Sequence, residues 1–203
     1  MSLDAPNSHN YTAQNADHHL QHPLFLNALQ SIERGGAIVN CDKNVLERLK
    51  RPKRCIVVSV PVRMADYSVK VFTGYRVQYN STLGPYKGGI RYHLHVNLGE
   101  VVGLSALMML KNSVLGLPYG GGKGGVTVDP TKLTRTEKQN LTRRYTSELG
   151  TSIGPQLDIP APDVGTDSQT MAWMMDTYSQ ERGYACPGVV TGKPIEIGGT
   201  VGR

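Results

Sequence analysis

The sequence has few cysteines and no long apolar run. Its three cysteines, Cys41, Cys55 and Cys186, form no CxxC pair and cannot all pair with one another, which argues against a disulfide scaffold. No stretch approaches the ~18 apolar residues that a membrane-spanning helix needs. Residues 1–22 lack the apolar core of a secretory signal. We therefore expect a soluble, cytoplasmic protein with reduced cysteines and no membrane partner.

Acidic residues are also in the minority, with 16 Asp and Glu against 22 Lys and Arg and a net charge of +6. A basic chain can bind nucleic acid or a membrane surface, or it can attract small anions. The densest basic run, residues 43–54, contains no aromatic side chain on which a base could stack. We interpret this run as a solvated connector and expect no nucleic-acid partner, with a basic nucleic-acid site as the alternative.

The 203 residues are enough for one sizeable domain. Residues 1–22 are polar and predict a flexible tail, whose histidines are typical of a solvated segment, so no metal site is expected. Pro23 opens a stretch of apolar residues at helical spacing, and Gly35-Gly36 is expected to end this helix. A short helix is predicted at Val45–Leu49.

Two valine-rich runs, Cys55–Arg63 and Ser68–Asn80, predict strands joined as an antiparallel hairpin. Helices and strands then alternate: a buried helix capped by Asn97 at Asn97–Leu110, a strand at Val126–Asp129, a helix from the capping box Thr134–Glu137 to Gly150, a strand at Leu157–Ile159, and a helix at Asp167–Tyr178. The methionines of the last helix fit core packing. This order predicts an α/β fold, with α+β as the alternative, in which a mixed sheet is flanked by helices.

Four polar residues stand in glycine- or proline-rich loops or at the end of an apolar element: Lys87, Lys111, Lys123 and Asp163. Taken singly, each lysine fits a surface residue, and Asp163 fits a helix cap. Lys111, however, follows a largely apolar run and is costly to bury unless it meets an anion. The four residues together predict a site for an anionic small molecule.

The segment Pro118–Val126 reads PYGGGKGGV and is expected to form a loop around Lys123. A P-loop would need a glycine six residues before the lysine and Ser or Thr after it, where Leu117 and Gly124 stand. The glycines match GxGxxG by spacing, yet the following residues predict a strand rather than the helix of a dinucleotide site. Bare backbone on both sides of Lys123 would instead let a small substrate make contact.

Close cationic neighbours and exclusion of water both lower the pKa of a lysine. Bringing the pKa of a lysine from ~10.4 to the range of about 7–8 that suits a general base requires about 3 units, or roughly 4 kcal/mol. Neighbouring lysines in a closed pocket would contribute to this and would also hold a dicarboxylate. The residues thus predict an anion-binding site in which Lys123 is tuned for acid–base chemistry.

Five segments, in order, resemble the N-terminal domain of the glutamate dehydrogenases: Gly84–Tyr92, Leu110–Asn112, Leu117–Val126, Asp158–Gly165 and Val189–Pro194. The likeness covers about residues 23–203. It implies a substrate-binding and oligomerisation domain at residues 23–190, followed at 191–203 by the start of a truncated dinucleotide-binding domain. It also implies reversible oxidative deamination of L-glutamate to 2-oxoglutarate and ammonia, with NAD or NADP as the cofactor, in a homohexamer.

The resemblance assigns the substrate contacts to three residues. Lys87 would bind the side-chain carboxylate of glutamate, Lys111 would bind its α-carboxylate, and Met108 would line the same pocket. The related leucine, valine and phenylalanine dehydrogenases lack a lysine at the position of Lys87. This residue therefore favours a dicarboxylic amino acid as the substrate.

The resemblance also assigns the chemistry. Lys123 would activate the water that attacks the iminium intermediate, Asp163 would exchange protons with the substrate nitrogen, and Thr191 would contact the nicotinamide cofactor. The chain departs from the family at Leu94-His95, where proline and a small or acidic residue are usual, and in lacking the C-terminal Rossmann domain. We therefore expect a fragment or a truncated chain that binds the cofactor poorly alone. The alternative is a non-catalytic paralogue that joins family hexamers.

Overall fold

The computed structural model describes residues 17–200. Most of the predicted flexible tail lies outside this range. Within it, His18–Gln21 forms a 3-10 helix with Leu20 buried, and the His22 side chain accepts a hydrogen bond from the Leu24 backbone, so the end of the predicted tail is ordered. No helix among residues 17–200 is both long and apolar enough to cross a membrane.

Five strands form one mixed sheet in the described part of the chain. The strands are β1 (Arg54–Arg63), β2 (Val69–Asn80), β3 (Tyr86–His93), β4 (Gly120–Thr127) and β5 (Asp158–Pro162), in the spatial order β1-β2-β4-β3-β5. The pairs β1–β2 and β2–β4 are antiparallel, whereas β3–β4 and β3–β5 are parallel. The early antiparallel hairpin predicted from the sequence is confirmed.

Among residues 17–200, five α-helices flank the sheet. They are α1 (Pro23–Ile38), α2 (Lys43–Leu49), α3 (Leu98–Val114), α4 (Arg135–Leu149) and α5 (Ser168–Arg182). Helices α1 and α3 pack together over β2 and β4 and bury Phe25, Val77 and Ala106. Helices α4 and α5 pack on the other face and bury Tyr145 and Met174. The predicted α/β fold with a mixed sheet flanked by helices is confirmed.

The glycine-rich segment is a strand, so the prediction of a loop around Lys123 is wrong. Residues Gly120–Thr127 form β4, which pairs with β2 on one side and β3 on the other. Helix α3 lies so close to this strand that a Cβ on Gly121 would come within 2.4 Å of the Ser105 carbonyl oxygen. The glycines therefore serve close packing inside a sheet, a role that local sequence does not reveal.

Three helices extend beyond their predicted ends, among them α5, which ends at Arg182 rather than at Tyr178. Helix α1 runs through Gly35-Gly36 to Ile38, and the chain turns at Asn40, whose φ is 49°. Gly36 serves packing instead, because a Cβ there would lie 2.9 Å from the Leu46 side chain. Helix α3 continues to Val114, so Lys111 lies within its last turn rather than after the helix.

The predicted caps at the starts of α3 and α4 are confirmed, whereas α2 begins at Lys43, two residues before its predicted start. The Asn97 side chain accepts a hydrogen bond from the Glu100 backbone at 3.0 Å and caps α3. Thr134 and Glu137 form the predicted reciprocal capping box at the start of α4. The methionines Met171 and Met174 of α5 are fully buried in the core, as predicted.

Candidate functional site

A cavity of about 520 Å³ opens between the C-terminal half of α3, strands β3 and β4, and the segment that follows β5. The structure brings all six residues predicted for the site into its wall: Lys87, Met108, Lys111, Lys123, Asp163 and Thr191. Lys111 is exposed to solvent at the rim, whereas Lys123 is only 4% exposed. The predicted residues therefore share one cavity, although they come from five separate parts of the chain.

The pairing of the strands explains why Lys87 and Lys123 face the same cavity. Lys87 lies on β3 opposite Gly121 of β4, and Lys123 stands two residues further along β4. Side chains two residues apart on a strand point to the same face of the sheet. Both lysines thus point towards α3, and Lys87 belongs to a strand rather than to the predicted loop.

Lys123 forms a direct ion pair with Asp163. Its Nζ lies 2.6 Å from Asp163 Oδ1. Burial lowers the pKa of Lys123, the ion pair with Asp163 opposes this, and the positive charges of Arg91 and Arg76 lower it further. The sequence predicted that neighbouring lysines would help to lower the pKa of Lys123. In the structure burial is the largest cause of the lowered pKa, and the cations that contribute are arginines.

The carboxyl group of Asp163 is kept ionised. Burial alone would raise its pKa, but hydrogen bonds from Lys123 and Arg91 outweigh that effect and lower it below the usual value. The lysine therefore carries a depressed affinity for its proton while the carboxylate beside it remains a proton acceptor. Groups tuned in this way occur at sites of proton transfer.

Lys87 lies at the other side of the cavity, where its Nζ donates a hydrogen bond to Thr191 Oγ1 at 2.7 Å. Burial and, to a smaller extent, the positive charge of Arg76 lower the pKa of Lys87 from 10.5 to about 8, against a partial opposing effect of Asp158. Near pH 8 this lysine is therefore divided between its charged and neutral forms. A carboxylate ligand would favour the charged form.

Three further residues of the site were not identified from the sequence. Arg91 Nε lies 2.7 Å from Asp163 Oδ2, and Thr166 Oγ1 accepts a hydrogen bond from the Asp163 backbone at 2.9 Å. Asn112 donates to the Gly120 carbonyl oxygen at 2.7 Å. The alternation of β3 could have revealed Arg91, because it shares the strand face of Lys87; Thr166 and Asn112 carry no comparable signal.

A second ion pair lies on the reverse face of the sheet. Arg76 of β2 and Asp158 of β5 are both 0% exposed. Arg76 Nε donates to Asp158 Oδ2 at 2.8 Å, its NH2 group donates to the other carboxylate oxygen, and its NH1 group donates to the Gly88 carbonyl oxygen at 3.1 Å. To reach them the guanidinium crosses β4 beside Gly122, where a Cβ would lie 3.2 Å from Arg76 NH2.

This geometry agrees with what comparison with known proteins finds. Residues 52–180 match the family described as Glu/Leu/Phe/Val dehydrogenase, dimerisation domain. The chain belongs to this family. Membership fits the strand-borne lysines and the aspartate after β5, which lie in the five segments that resemble glutamate dehydrogenases.

Several curated relatives are glutamate dehydrogenases. That of Thermotoga maritima is 52% identical over 180 residues, which are 89% of this chain and 43% of the relative. The NAD-specific glutamate dehydrogenase A of Halobacterium salinarum is 52% identical over 176 residues, 87% of this chain and 40% of the relative. The NADP(+)-dependent enzyme of Pyrobaculum calidifontis is 54% identical over 171 residues, 84% of this chain and 41% of the relative. The family member described here thus spans less than half the length of these relatives.

Solved structures of the family share the fold. The hetero-hexameric glutamate dehydrogenase of Thermus thermophilus, in its Leu bound form, superposes with a TM-score of 0.88 at 47% identity over 90% of this chain and 44% of that chain. The glutamate dehydrogenase of Peptoniphilus asaccharolyticus superposes with a TM-score of 0.87 at 44% identity over 89% of this chain and 46% of that chain.

For a nicotinamide cofactor the sequence predicted one contact, Thr191, which lines the cavity. Thr191 presents its hydroxyl at the cavity, where it accepts a hydrogen bond from Lys87. The glycine segment that matches GxGxxG by spacing lies within β4 and is not followed directly by a helix. Among residues 17–200, no group of three or more His, Cys, Asp or Glu side chains is placed to hold a metal ion.

Proposed function

We propose that this chain forms the substrate-binding part of an NAD(P)-dependent glutamate dehydrogenase, which converts L-glutamate reversibly to 2-oxoglutarate and ammonia. The observation that carries the proposal is the Lys123–Asp163 pair, 2.6 Å apart, in a cavity that also holds Lys87 and Lys111. The cavity therefore combines a proton-transfer pair with two further cations. The similarity to glutamate dehydrogenases supports the same reaction.

The arrangement of charges suits a substrate with two carboxylates. Lys87 on β3 and Lys111 on α3 supply separate cations, each able to pair with one carboxylate. Met108 lines the cavity one turn before Lys111 and would contact the methylene carbons of the substrate. In this proposal Lys87 selects glutamate, because an apolar side chain would leave the lysine without a partner.

Lys123 and Asp163 would carry out the proton transfers. The ionised Asp163 would take a proton from the substrate ammonium and return it to the leaving ammonia. Lys123, whose pKa is lowered chiefly by burial, would take a proton from the water that attacks the substrate carbon. A nicotinamide cofactor, when bound, would accept the hydride from that carbon, and Thr191 would touch it at the cavity rim.

NAD or NADP is proposed as the cofactor because relatives are described as NAD-specific or NADP(+)-dependent. A homohexamer is proposed for the complete assembly; the Thermus thermophilus relative is described as hetero-hexameric. A cytoplasmic location remains a prediction, and it is supported by the free thiols of Cys41, Cys55 and Cys186.

Isothermal titration of the purified chain with 2-oxoglutarate, L-glutamate and L-leucine tests the substrate class. We expect the two dicarboxylates to bind and leucine to bind at least tenfold more weakly, a difference of about 1.4 kcal/mol. The Lys87→Leu variant should lose this preference. Equal affinity for leucine and glutamate in the unaltered chain would contradict the proposal.

Catalysis requires a nucleotide-binding partner domain. Fusion of this chain to the C-terminal part of the Thermotoga maritima relative should give nicotinamide reduction that depends on glutamate. The Lys123→Ala fusion should lose nearly all turnover and still bind 2-oxoglutarate. A fusion that folds, binds both ligands and stays inactive would favour the non-catalytic alternative.

A further inference from the structure

Arg91 is the charged residue beside the cavity to which the proposed reaction gives no role. It contacts two carboxylates at once: its Nε lies 2.7 Å from Asp163 Oδ2, and its NH1 lies 2.6 Å from Glu100 Oε1. Since Asp163 Oδ1 also accepts a hydrogen bond from Lys123, four charged groups form a continuous chain. The charges alternate along the order Lys123, Asp163, Arg91, Glu100, and they sum to zero.

We propose that Arg91 and Glu100 are positioning residues, which orient the Asp163 carboxylate and set how strongly Asp163 and Lys123 hold their protons. The inference rests on the proposed function only in assuming that Asp163 and Lys123 transfer these protons during the reaction. The orientation and the charge balance are properties of this chain by itself.

The orientation follows from how Asp163 is held on three sides. Arg91 occupies Oδ2, which leaves Oδ1 to Lys123, and Thr166 holds the backbone N–H of Asp163. Gly89 permits this approach, because a Cβ there would lie 2.7 Å from Asp163 Cβ. A guanidinium is rigid and planar, so Arg91 can serve two carboxylates at fixed angles, which a lysine ammonium does less well.

The charge balance has contributions of both signs. Among the described residues, the charged groups around Asp163 come from β3, β4, α3 and the reverse face of the sheet: Arg91, Lys87, Lys123, Glu100, Lys111 and Arg76. Arg91 lowers the pKa of both Asp163 and Lys123, in each case alongside a larger effect of burial. Glu100 faces Arg91 from the first turn of α3 and offsets part of its charge.

Arg91 is the side-chain partner of the Glu100 carboxylate among the described residues. The second carboxylate oxygen, Glu100 Oε2, is buried and has no hydrogen-bond partner within the part of the chain that the structure describes. Glu100 is thus held at this position by Arg91 rather than by a broader network. An acidic residue kept there at some desolvation cost fits a role in tuning charge.

Carboxyl-detected NMR titration of the chain, labelled with ¹³C at the aspartate carboxyl carbon, tests the proposal. The Arg91→Met variant should shift the pKa of Asp163 upwards, because one of its two cations is lost. The Glu100→Gln variant should shift it downwards, because Arg91 then acts without its counter-charge. Opposite shifts from two neighbouring substitutions are not expected from loosened packing.

Arg91→Lys provides the matched control, since it keeps the positive charge but not the planar guanidinium that contacts two carboxylates. It should leave the pKa of Asp163 nearer the wild-type value than Arg91→Met does. Near-ultraviolet circular dichroism reports whether each variant keeps its fold. If Arg91→Met unfolds, Glu100→Gln decides by itself, and an unchanged titration there overturns the proposal, as do shifts of the same sign in both variants.

Binding of 2-oxoglutarate by the same variants separates this proposal from the proposed function. Opposite pKa shifts in a chain that binds no dicarboxylate would support the positioning roles and reject the substrate. If all variants bind the dicarboxylate and the pKa of Asp163 is the same in each, the substrate is supported and the positioning roles are rejected.

Discussion

Two ion pairs, Arg76–Asp158 and Lys123–Asp163, lie on opposite faces of the sheet. They differ in how many of the hydrogen-bonding groups of the cation have a partner within the protein. Arg76 and Asp158 face α4 and α5 at 0% exposure, and every nitrogen group of the guanidinium has an acceptor. The Lys123 ammonium faces α3, and one of its hydrogen bonds goes to Asp163 while the rest of the group adjoins a cavity. Charge alone does not distinguish the two pairs.

The difference indicates which pair is structural and which is available for chemistry. A buried pair with all its bonds made ties strands together, and it is costly to break because the remaining partner is left as a buried charge. A pair beside a cavity retains bonding capacity for a ligand. The following predictions, from the largest expected effect to the smallest, test this contrast.

Breaking the reverse-face pair should have the largest effect. Arg76→Met leaves Asp158 buried without its cation, and we expect a loss of about 3–5 kcal/mol in the free energy of unfolding, measured with urea. The double variant Arg76→Met/Asp158→Asn should recover a substantial part of that loss. A loss below about 1 kcal/mol in the single variant would remove the contrast between the two pairs.

The glycines of β4 should tolerate substitution poorly on the face of the site. A Cβ at Gly121 would lie 2.4 Å from the Ser105 carbonyl oxygen and 2.6 Å from Met109 N, so Gly121→Ala should lower stability by about 2–3 kcal/mol. Gly35→Ala is the matched control, since Gly35 lies within helix α1 with nothing within 4 Å of its missing Cβ. That variant should be stabilised by about 0.5–1 kcal/mol.

The affinity for 2-oxoglutarate should depend on pH through Lys87. Burial, followed by Arg76, lowers the pKa of this lysine to about 8, so the ammonium is charged below that pH and is lost as the pH rises through it. We expect a constant dissociation constant below about pH 8 and an increase of up to about tenfold per pH unit above it. Lys87→Arg, which remains charged, should flatten this rise; an equal rise in both proteins would exclude Lys87 as its source.

Removal of the lysine on the site face should affect stability least. In Lys123→Met, Asp163 keeps its contact with Arg91 at 2.7 Å, so no carboxylate is left without a cation. We expect the free energy of unfolding to change by no more than about 1 kcal/mol, although turnover in the fusion protein should be lost. A loss as large as that of Arg76→Met would show that both pairs are structural.

Local signals in the sequence predicted the elements whose causes are local. The capping box of Thr134 and Glu137 and the cap at Asn97 depend on residues three positions apart, and the structure contains both. The glycine segment was predicted wrongly as a loop, because the reason for its glycines is the approach of Ser105 and Met109 from α3.

The site residues that lie in recognisable local motifs were predicted, and those that depend on long-range contacts were not. Lys87, Lys123 and Asp163 lie in segments that resemble glutamate dehydrogenases, and they do share one cavity. Arg76 and Asp158 are 82 residues apart in the sequence, and neither stands in a pattern that predicts a buried pair. Contacts of this range are fixed by the order of the strands, which a single sequence does not reveal.

The glycine-rich strand β4 also bears on the order of folding. Glycine is a poor strand former, and a segment with so few side chains cannot collapse early by itself. Its parallel partner β3 joins it through α3, so this pairing must wait until that crossover is in place. The strand at the centre of the finished sheet is therefore expected to assemble among the last.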